Sequence, residues 1–214
     1  KSDLSAIIDH RLELPPIKKG NPAFAKRVYD IARNTVDTDL LMLGTECGLV
    51  AFDKKRNAVR EIHPNKQAVF RRSLPPVYKI EEEGDFLWTK SWMSGIPRFD
   101  MRNRRWENFA YPDEKTNTNI WTASDFRIRN DKEIWVCDLD RGLYMYEKGG
   151  NSIKPLATSR NSQVLKNVNL KIFMQNDSTL WLANHNGIWK QNRRKGRFRI
   201  LDMPYYYTWV MPVF

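Results

Sequence analysis

The chain has 214 residues, of which 41% are hydrophobic and 12% aromatic, so it can build a buried core and is not disordered as a whole. Lys and Arg total 36 against 25 Asp and Glu, and the formal net charge of +11 favours an acidic partner or reflects a solubilising surface. No apolar run approaches the roughly 20 residues of a membrane-spanning helix, and the basic residues form short, scattered clusters that argue against a nucleic-acid partner.

Four glycines mark an internal repeat. They are spaced by 47, 47 and 45 residues, and each is followed by Leu or Ile: Gly48, Gly95, Gly142 and Gly187. In the first three copies an aromatic residue and an acid follow the glycine: Phe52-Asp53, Phe99-Asp100 and Tyr146-Glu147. Seven places before the glycine, or six in the fourth copy, stand Leu41, Trp88, Trp135 and Trp181. We expect the three tryptophans to pack in the core.

Each repeat predicts four short strands. In the third copy apolar alternation favours strands at about 120–128, 133–137, 143–147 and 152–157, with turns between them and Gly142 at a positive φ. Helical periodicity is weak everywhere and is suggested only at 23–32. Four strands per 45–47 residues is typical of a β-propeller blade, so the predicted fold is all-β.

The predicted blades follow one another along a single propeller segment of 214 residues. Their approximate bounds are 25–64, 74–111, 118–158 and 166–203, with the last strand of a preceding blade at 1–16 and the first strand of a next blade at 205–214. The count predicts an incomplete propeller, part of a larger ring or one of two arcs that close an eight-bladed ring. Open blade edges also favour self-association.

The repeat resembles the two-component regulator propeller family. Residues 41–53 contain Gly44-Thr45, Gly48-Leu49 and Phe52-Asp53, and 87–100 contain Gly95-Ile96 and Phe99-Asp100. The resemblance covers about residues 35–202; its fourth copy has Gln191-Asn192 where the aromatic–acid pair is expected. It implies an extracytoplasmic, periplasmic sensor region, anchored in the membrane through other parts of the parent protein, with a histidine kinase or regulator downstream. Many members of that family respond to glycans.

The candidate binding face is the one that carries the loops between the second and third strands, because these loops differ between copies while the frame does not. The candidate ligand-binding residues are Trp92, Arg141, His185, Asn184, Asp138 and Glu46. Trp92 suits stacking on a sugar, and Arg141 suits an anionic group or an ion pair with its acidic neighbours. The expected partner is an oligosaccharide or polysaccharide fragment, with an anionic one favoured by the net charge. Tolerant surface loops or a core position for Trp92 remain the alternatives.

The sequence predicts no catalytic residues, no metal site and no cofactor. Asp138 and Asp140 are the nearest approach to a carboxylate pair, which leaves a propeller lyase or glycosidase acting on an acidic polysaccharide as an alternative to a sensor. A protein-interaction scaffold is a third possibility. Cys47 and Cys137 fall in blades that are not neighbours, so we expect both to be free and at least partly buried.

Overall fold

The fold was derived from a computed structural model. It describes residues 27–65, 76–91, 95–107, 123–138, 142–149, 152–155, 169–176, 179–184, 187–192 and 197–201. Within these ranges the chain forms strands and turns and no helix, as predicted. The helical turn suggested for 23–32 is wrong where the structure describes it, because residues 28–33 form a strand.

Sixteen strands form four antiparallel sheets, each of four strands in chain order. The first contains β1 (Val28–Arg33), β2 (Leu40–Thr45), β3 (Gly48–Asp53) and β4 (Ala58–His63). The second contains β5 (Val77–Glu83), β6 (Phe86–Ser91), β7 (Arg98–Asp100) and β8 (Arg105–Glu107). The third contains β9 (Ala123–Ile128), β10 (Glu133–Asp138), β11 (Gly142–Glu147) and β12 (Ser152–Pro155). The fourth contains β13 (Asn169–Asn176), β14 (Thr179–Asn184), β15 (Gly187–Asn192) and β16 (Arg197–Leu201).

Each sheet is here called a blade, and the blades are numbered one to four in chain order. The end strands predicted at 1–16 and 205–214 lie outside the described residues. The first strands of successive blades, β1 with β5 and β9 with β13, contact each other, so these strands lie on the inner side of the arc. The four sheets do not close into a ring.

The repeat glycines and acids act in turns. All four repeat glycines have positive φ, among them Gly48 at 108° and Gly142 at 95°, a region that side chains disfavour. In blades one and two the acid after the buried aromatic residue, Asp53 or Asp100, closes the turn into the fourth strand. Asp53 Oδ1 accepts the backbone N–H groups of Lys55 and Arg56, both at 2.9 Å. These donors, that of Arg56 foremost, hold the pKa of Asp53 below its ordinary value.

Strand register corrects one sequence alignment. Trp88, Trp135 and Trp181 each lie three residues before the end of the second strand, and in blade one that place belongs to Met42, not Leu41. Two residues separate the end of the second strand from the repeat glycine in blades one and four, and three do so in blades two and three, which shifts the count from the glycine by one. Burial agrees, since Met42 is 1% exposed and Leu41 is half-buried.

Apolar faces of adjacent blades form three core clusters, one at each junction. Blades one and two contribute Ala32, Met42, Leu49, Ile80, Leu87 and Phe99. Blades two and three contribute Trp88, Ile96, Phe126, Ile134 and Val136. Blades three and four contribute Trp135, Cys137, Leu143, Ile172, Leu180 and Leu182. Both cysteines are free and buried, as predicted. Gly44 permits the closest approach, since a Cβ there would lie 2.7 Å from the Val77 carbonyl oxygen.

Each outermost blade exposes an apolar side chain on its inner strand, although Leu43, Val50 and Phe52 of blade one form a separate buried cluster. Ile31 occupies the place in blade one that Ile80, Phe126 and Ile172 occupy in the others; those three are buried, whereas Ile31 is 61% exposed. On blade four, Phe173 is 58% exposed. Trp181 is only partly buried, so its predicted core position is wrong, whereas those of Trp88 and Trp135 are confirmed.

Candidate functional site

The candidate face is the sheet edge where each second strand ends and each first strand begins. The last residue of every second strand is polar and buried: Thr45, Ser91, Asp138 and Asn184. Thr45 Oγ1 donates to the Gly48 carbonyl oxygen at 2.9 Å and accepts the Cys47 N–H at 3.1 Å. Asn184 Oδ1 accepts the Trp189 indole N–H at 3.1 Å. Thr45 and Asn184 thus form hydrogen bonds at the sheet edge from which the variable loops extend.

The structure describes three of the six candidate residues. Asp138 and Asn184 belong to the ends of β10 and β14 rather than to loops, with exposures of 0% and 8%. Glu46 lies in the two-residue loop between β2 and β3. The other three candidates lie outside the described residues: Trp92, Arg141 and His185.

A β-bulge recurs at the second residue of every inner strand. The register of β1 skips Tyr29, and those of β5, β9 and β13 skip Tyr78, Ser124 and Leu170. A bulge re-aims the side chain of the extra residue and is common beside functional sites. In blades one and two the residue so placed is a tyrosine.

Tyr29 and Tyr78 therefore meet at the junction of blades one and two. Their ring centroids are 4.7 Å apart with a tilt of 53°. The Tyr29 hydroxyl donates to Glu46 Oε1 at 2.7 Å. Burial, followed by this hydrogen bond, raises the pKa of Tyr29 to about 12, so the hydroxyl keeps its proton at neutral pH.

Two basic groups border the tyrosine pair. The Lys90 ammonium lies over the Tyr78 ring, 5.6 Å from its centroid, a cation–π arrangement. Burial lowers the pKa of Lys90. The guanidinium of Arg27, which is mostly exposed, reaches to 3.6 Å from Glu46 Oε1.

Sequence reasoning found Glu46 but missed Tyr29, Tyr78 and Lys90. One signal was present: the dipeptide Val-Tyr occurs at 28–29 and again at 77–78, each at the start of a predicted blade. Its meaning depends on the bulge, which only the strand pairing reveals.

Charged residues alternate in sign immediately after the bulges. Asp30, Lys79, Asp125 and Lys171 occupy equivalent positions in blades one to four. Each aspartate accepts a backbone N–H of the following blade: Asp30 from Ile80 at 2.8 Å and Asp125 from Ile172 at 3.0 Å. Lys79 donates to Asp125 Oδ1 of the following blade at 2.5 Å. The residue after the bulge thus forms hydrogen bonds to the following blade in blades one, two and three.

A cavity of about 100 Å³ lies at the seam of blades one and two. Its lining includes Arg60, Arg102 and Arg104, which are already paired: Arg60 with Asp37 at 2.8 Å, Arg102 with Asp85 at 2.6 Å and Arg104 with Glu61 at 3.2 Å. Burial lowers the pKa of His63, which also lines it, so the cavity is a poor site for an anion at neutral pH.

The described ranges were compared with two further kinds of site, a metal-ligand cluster and a membrane-spanning helix. In them no three His, Cys, Asp or Glu side chains group as metal ligands. Nor does the described part of the chain contain a helix long and apolar enough to cross a membrane.

Comparison with known proteins identifies the fold. No family model matches the chain, and no curated protein matches it. Among solved structures, the β-propeller domain of Cps50 (Swd1) from Myceliophteria thermophila matches with a TM-score of 0.53 and 11% identity, over 78% of this chain and 52% of that one. The chain is a β-propeller segment.

Two further solved structures that match this segment are extracellular domains from B. thetaiotaomicron. That of the one-component system BT4673 has a TM-score of 0.64 and 16% identity, and the match covers 86% of this chain. That of the hybrid two-component system BT3049 has a TM-score of 0.51 and 14% identity over 92% of this chain. The segment spans 22% of the first and 31% of the second.

Proposed function

We propose that the segment is a ligand-sensing part of an extracytoplasmic protein of a two-component system and that it recognises a glycan fragment. The observation that carries this proposal is the structural match, over most of the chain, to extracellular domains described as parts of hybrid two-component systems. The motif resemblance of the repeats supports the same class. The parent protein is membrane-anchored and periplasmic, and a kinase or regulator lies downstream.

Constant strand ends with variable loops support ligand recognition at the candidate face. Each second strand ends in a buried polar residue, while the loop that follows changes in length and sequence between blades. Contacts between neighbouring blades, such as that of Lys79 with Asp125, would carry a change at this edge along the arc. Asp138, half of the carboxylate pair behind the enzyme alternative, is fully buried, which argues against a catalytic role for it.

The first prediction concerns Trp92 and Arg141. Each replacement by Ala should weaken binding of the cognate oligosaccharide by up to about tenfold, because a stacked ring or a charge-assisted hydrogen bond contributes on the order of 1 kcal/mol. Calorimetry with neutral and acidic oligosaccharides across a salt series measures both effects. An anionic ligand should bind more weakly as salt rises.

Lys154→Ala is the matched control, since it removes the same charge from an exposed site on β12. Unchanged binding in both the Trp92 and the Arg141 variants would show that the ligand binds elsewhere on the protein. An affinity that does not change with salt concentration would refute an anionic ligand and favour a neutral one. If none of the oligosaccharides binds, the glycan proposal fails.

Self-association through the outer faces is the second part of the proposal. Lys171 on blade four is equivalent to Lys79, and Asp30 and Ile31 on blade one are equivalent to Asp125 and Phe126. Blade four of one copy against blade one of another would therefore bring Lys171 to Asp30, as Lys79 meets Asp125 between blades two and three. Two copies would close eight blades with the alternation of charge unbroken.

Ile31→Asp and Phe173→Asp should each shift the chain from dimer to monomer, because a carboxylate would be buried at the new junction. Both side chains are exposed in the single chain, so its stability should change little. Sedimentation velocity over a concentration series measures the state, and Val36→Asp, at an exposed turn residue, is the control. A wild-type chain that stays monomeric at every concentration would refute this part.

A further inference from the structure

The group formed by Tyr29, Tyr78 and Glu46, here called the tyrosine–glutamate subsite, contains an acceptor without a donor. Glu46 Oε1 accepts from the Tyr29 hydroxyl, whereas Oε2 is buried and has no hydrogen-bond partner. The Glu46 side chain is 7% exposed. A buried carboxylate oxygen without a donor is unfavourable, so the folded chain holds an acceptor that a bound group can satisfy.

The neighbouring groups restrict what that bound group can be. A carboxylate or sulfate would be repelled by Glu46 at the point where a donor is needed. An ammonium ion would meet two existing cations, the guanidinium of Arg27 near Glu46 and the ammonium of Lys90 over the Tyr78 ring. An uncharged hydroxyl donates to the carboxylate without either repulsion.

The tyrosine rings add a surface for an apolar face. Tyr29 and Tyr78 are partly exposed and lie 4.7 Å apart, at the edge where the chain enters blades one and two. A pyranose ring presents C–H groups on one face and hydroxyls at its rim, which matches an aromatic surface with an acceptor beside it. The Lys90 ammonium, next to Tyr78, can donate to a second sugar oxygen.

We infer that Tyr29, Tyr78 and Glu46 form a subsite for an uncharged, hydroxyl-bearing sugar ring, one of whose hydroxyls donates to Glu46 Oε2. The inference rests on the proposed function for its choice of a glycan. It deepens that function, because it places a neutral ring at the junction of blades one and two even when the whole ligand is anionic.

Fluorine NMR of the chain labelled with 3-fluorotyrosine tests the subsite directly. The chain has eight tyrosines, and the Tyr29→Phe and Tyr78→Phe variants assign the two resonances. The probes are methyl β-glucoside and methyl β-galactoside as neutral sugars, methyl β-glucuronide as an acidic one, and methylammonium as a cation. A neutral glycoside should shift both resonances in a saturable manner, and the other two probes should shift them much less.

Glu46→Ala should weaken binding of the neutral glycoside roughly tenfold, because a hydrogen bond to a charged acceptor is lost. Tyr78→Leu, which keeps an apolar side chain without the ring, should weaken it as well. Glu61→Ala is the matched control, since it removes a carboxylate from β4 of the same blade, where Glu61 pairs with Arg104. Circular dichroism confirms that each variant is folded.

The outcomes separate the subsite from the proposed function. If an oligosaccharide binds by calorimetry while both tyrosine resonances stay unchanged, the subsite is refuted, Oε2 is satisfied by water, and the glycan function stands. A shift by methylammonium or by the glucuronide in preference to the neutral sugars overturns the assigned ligand class. If no sugar binds by either method, the subsite and the glycan function both fail.

Discussion

Replacing Lys79 with methionine should lower the free energy of unfolding by about 3–5 kcal/mol, the range for a buried ion pair that loses one partner. The Lys79 ammonium lies 2.5 Å from Asp125 Oδ1 and 3.0 Å from Glu81 Oε1, and it also donates to the Phe126 carbonyl oxygen. The side chains of Lys79 and Asp125 are 13% and 1% exposed. Methionine would leave two carboxylates near each other in the junction of blades two and three without that cation.

Urea unfolding followed by tryptophan fluorescence measures this loss. Lys154→Met is the control, because Lys154 pairs with Glu147 on an outer strand and its side chain is 59% exposed. An exposed pair of this kind contributes under about 1 kcal/mol. Equal losses in the two variants would show that the inner-strand contact is not a stabilising link between blades.

Much of the fold follows from local chemistry that a sequence displays. Gly48 and Gly142 can be predicted because a positive φ selects glycine. Asp53 can be predicted because an aspartate at the end of a strand can accept the N–H groups of the turn that follows. Blade number follows from the repeat, since each repeat supplies one sheet. Leu41 was aligned with the tryptophans in place of Met42 because a one-residue difference in loop length becomes visible only when the strands are paired.

The candidate site was less predictable, because its residues are brought together by bulges and by contacts between blades. Tyr29 and Tyr78 are 49 positions apart, and nothing in either strand alone predicts that the rings meet. The same holds for the charge alternation: Asp30, Lys79 and Asp125 are separated by 49 and then 46 residues, so an alignment on glycine spacing does not superimpose them. Loop position predicted Glu46, but its unpaired oxygen is a property of the packed structure.

Trp88→Ala should lower the free energy of unfolding by about 3–5 kcal/mol, as much as the loss of Lys79, because it leaves a large cavity at the junction of blades two and three. Trp88 is 0% exposed, its indole N–H donates to Glu83 Oε2 at 2.7 Å, and the Arg98 guanidinium lies 5.1 Å from its ring. Trp88→Phe should recover part of the loss, since it restores apolar volume without the hydrogen bond. Urea unfolding of the three proteins gives both differences.

The matched control for Trp88 is Trp181, at the same strand position in blade four. Its indole donates to Gln175 at 3.0 Å and contacts Lys190, but it is only partly buried, so Trp181→Ala in the isolated chain should cost about 1 kcal/mol or less. The contrast tests the architecture, because the two tryptophans differ mainly in whether another blade covers them. A Trp181 loss as large as that of Trp88 in dilute, monomeric protein would mean that the outer face of blade four is already covered within one chain. A large loss that appears only at concentrations where the chain dimerises would mean that a second copy covers it.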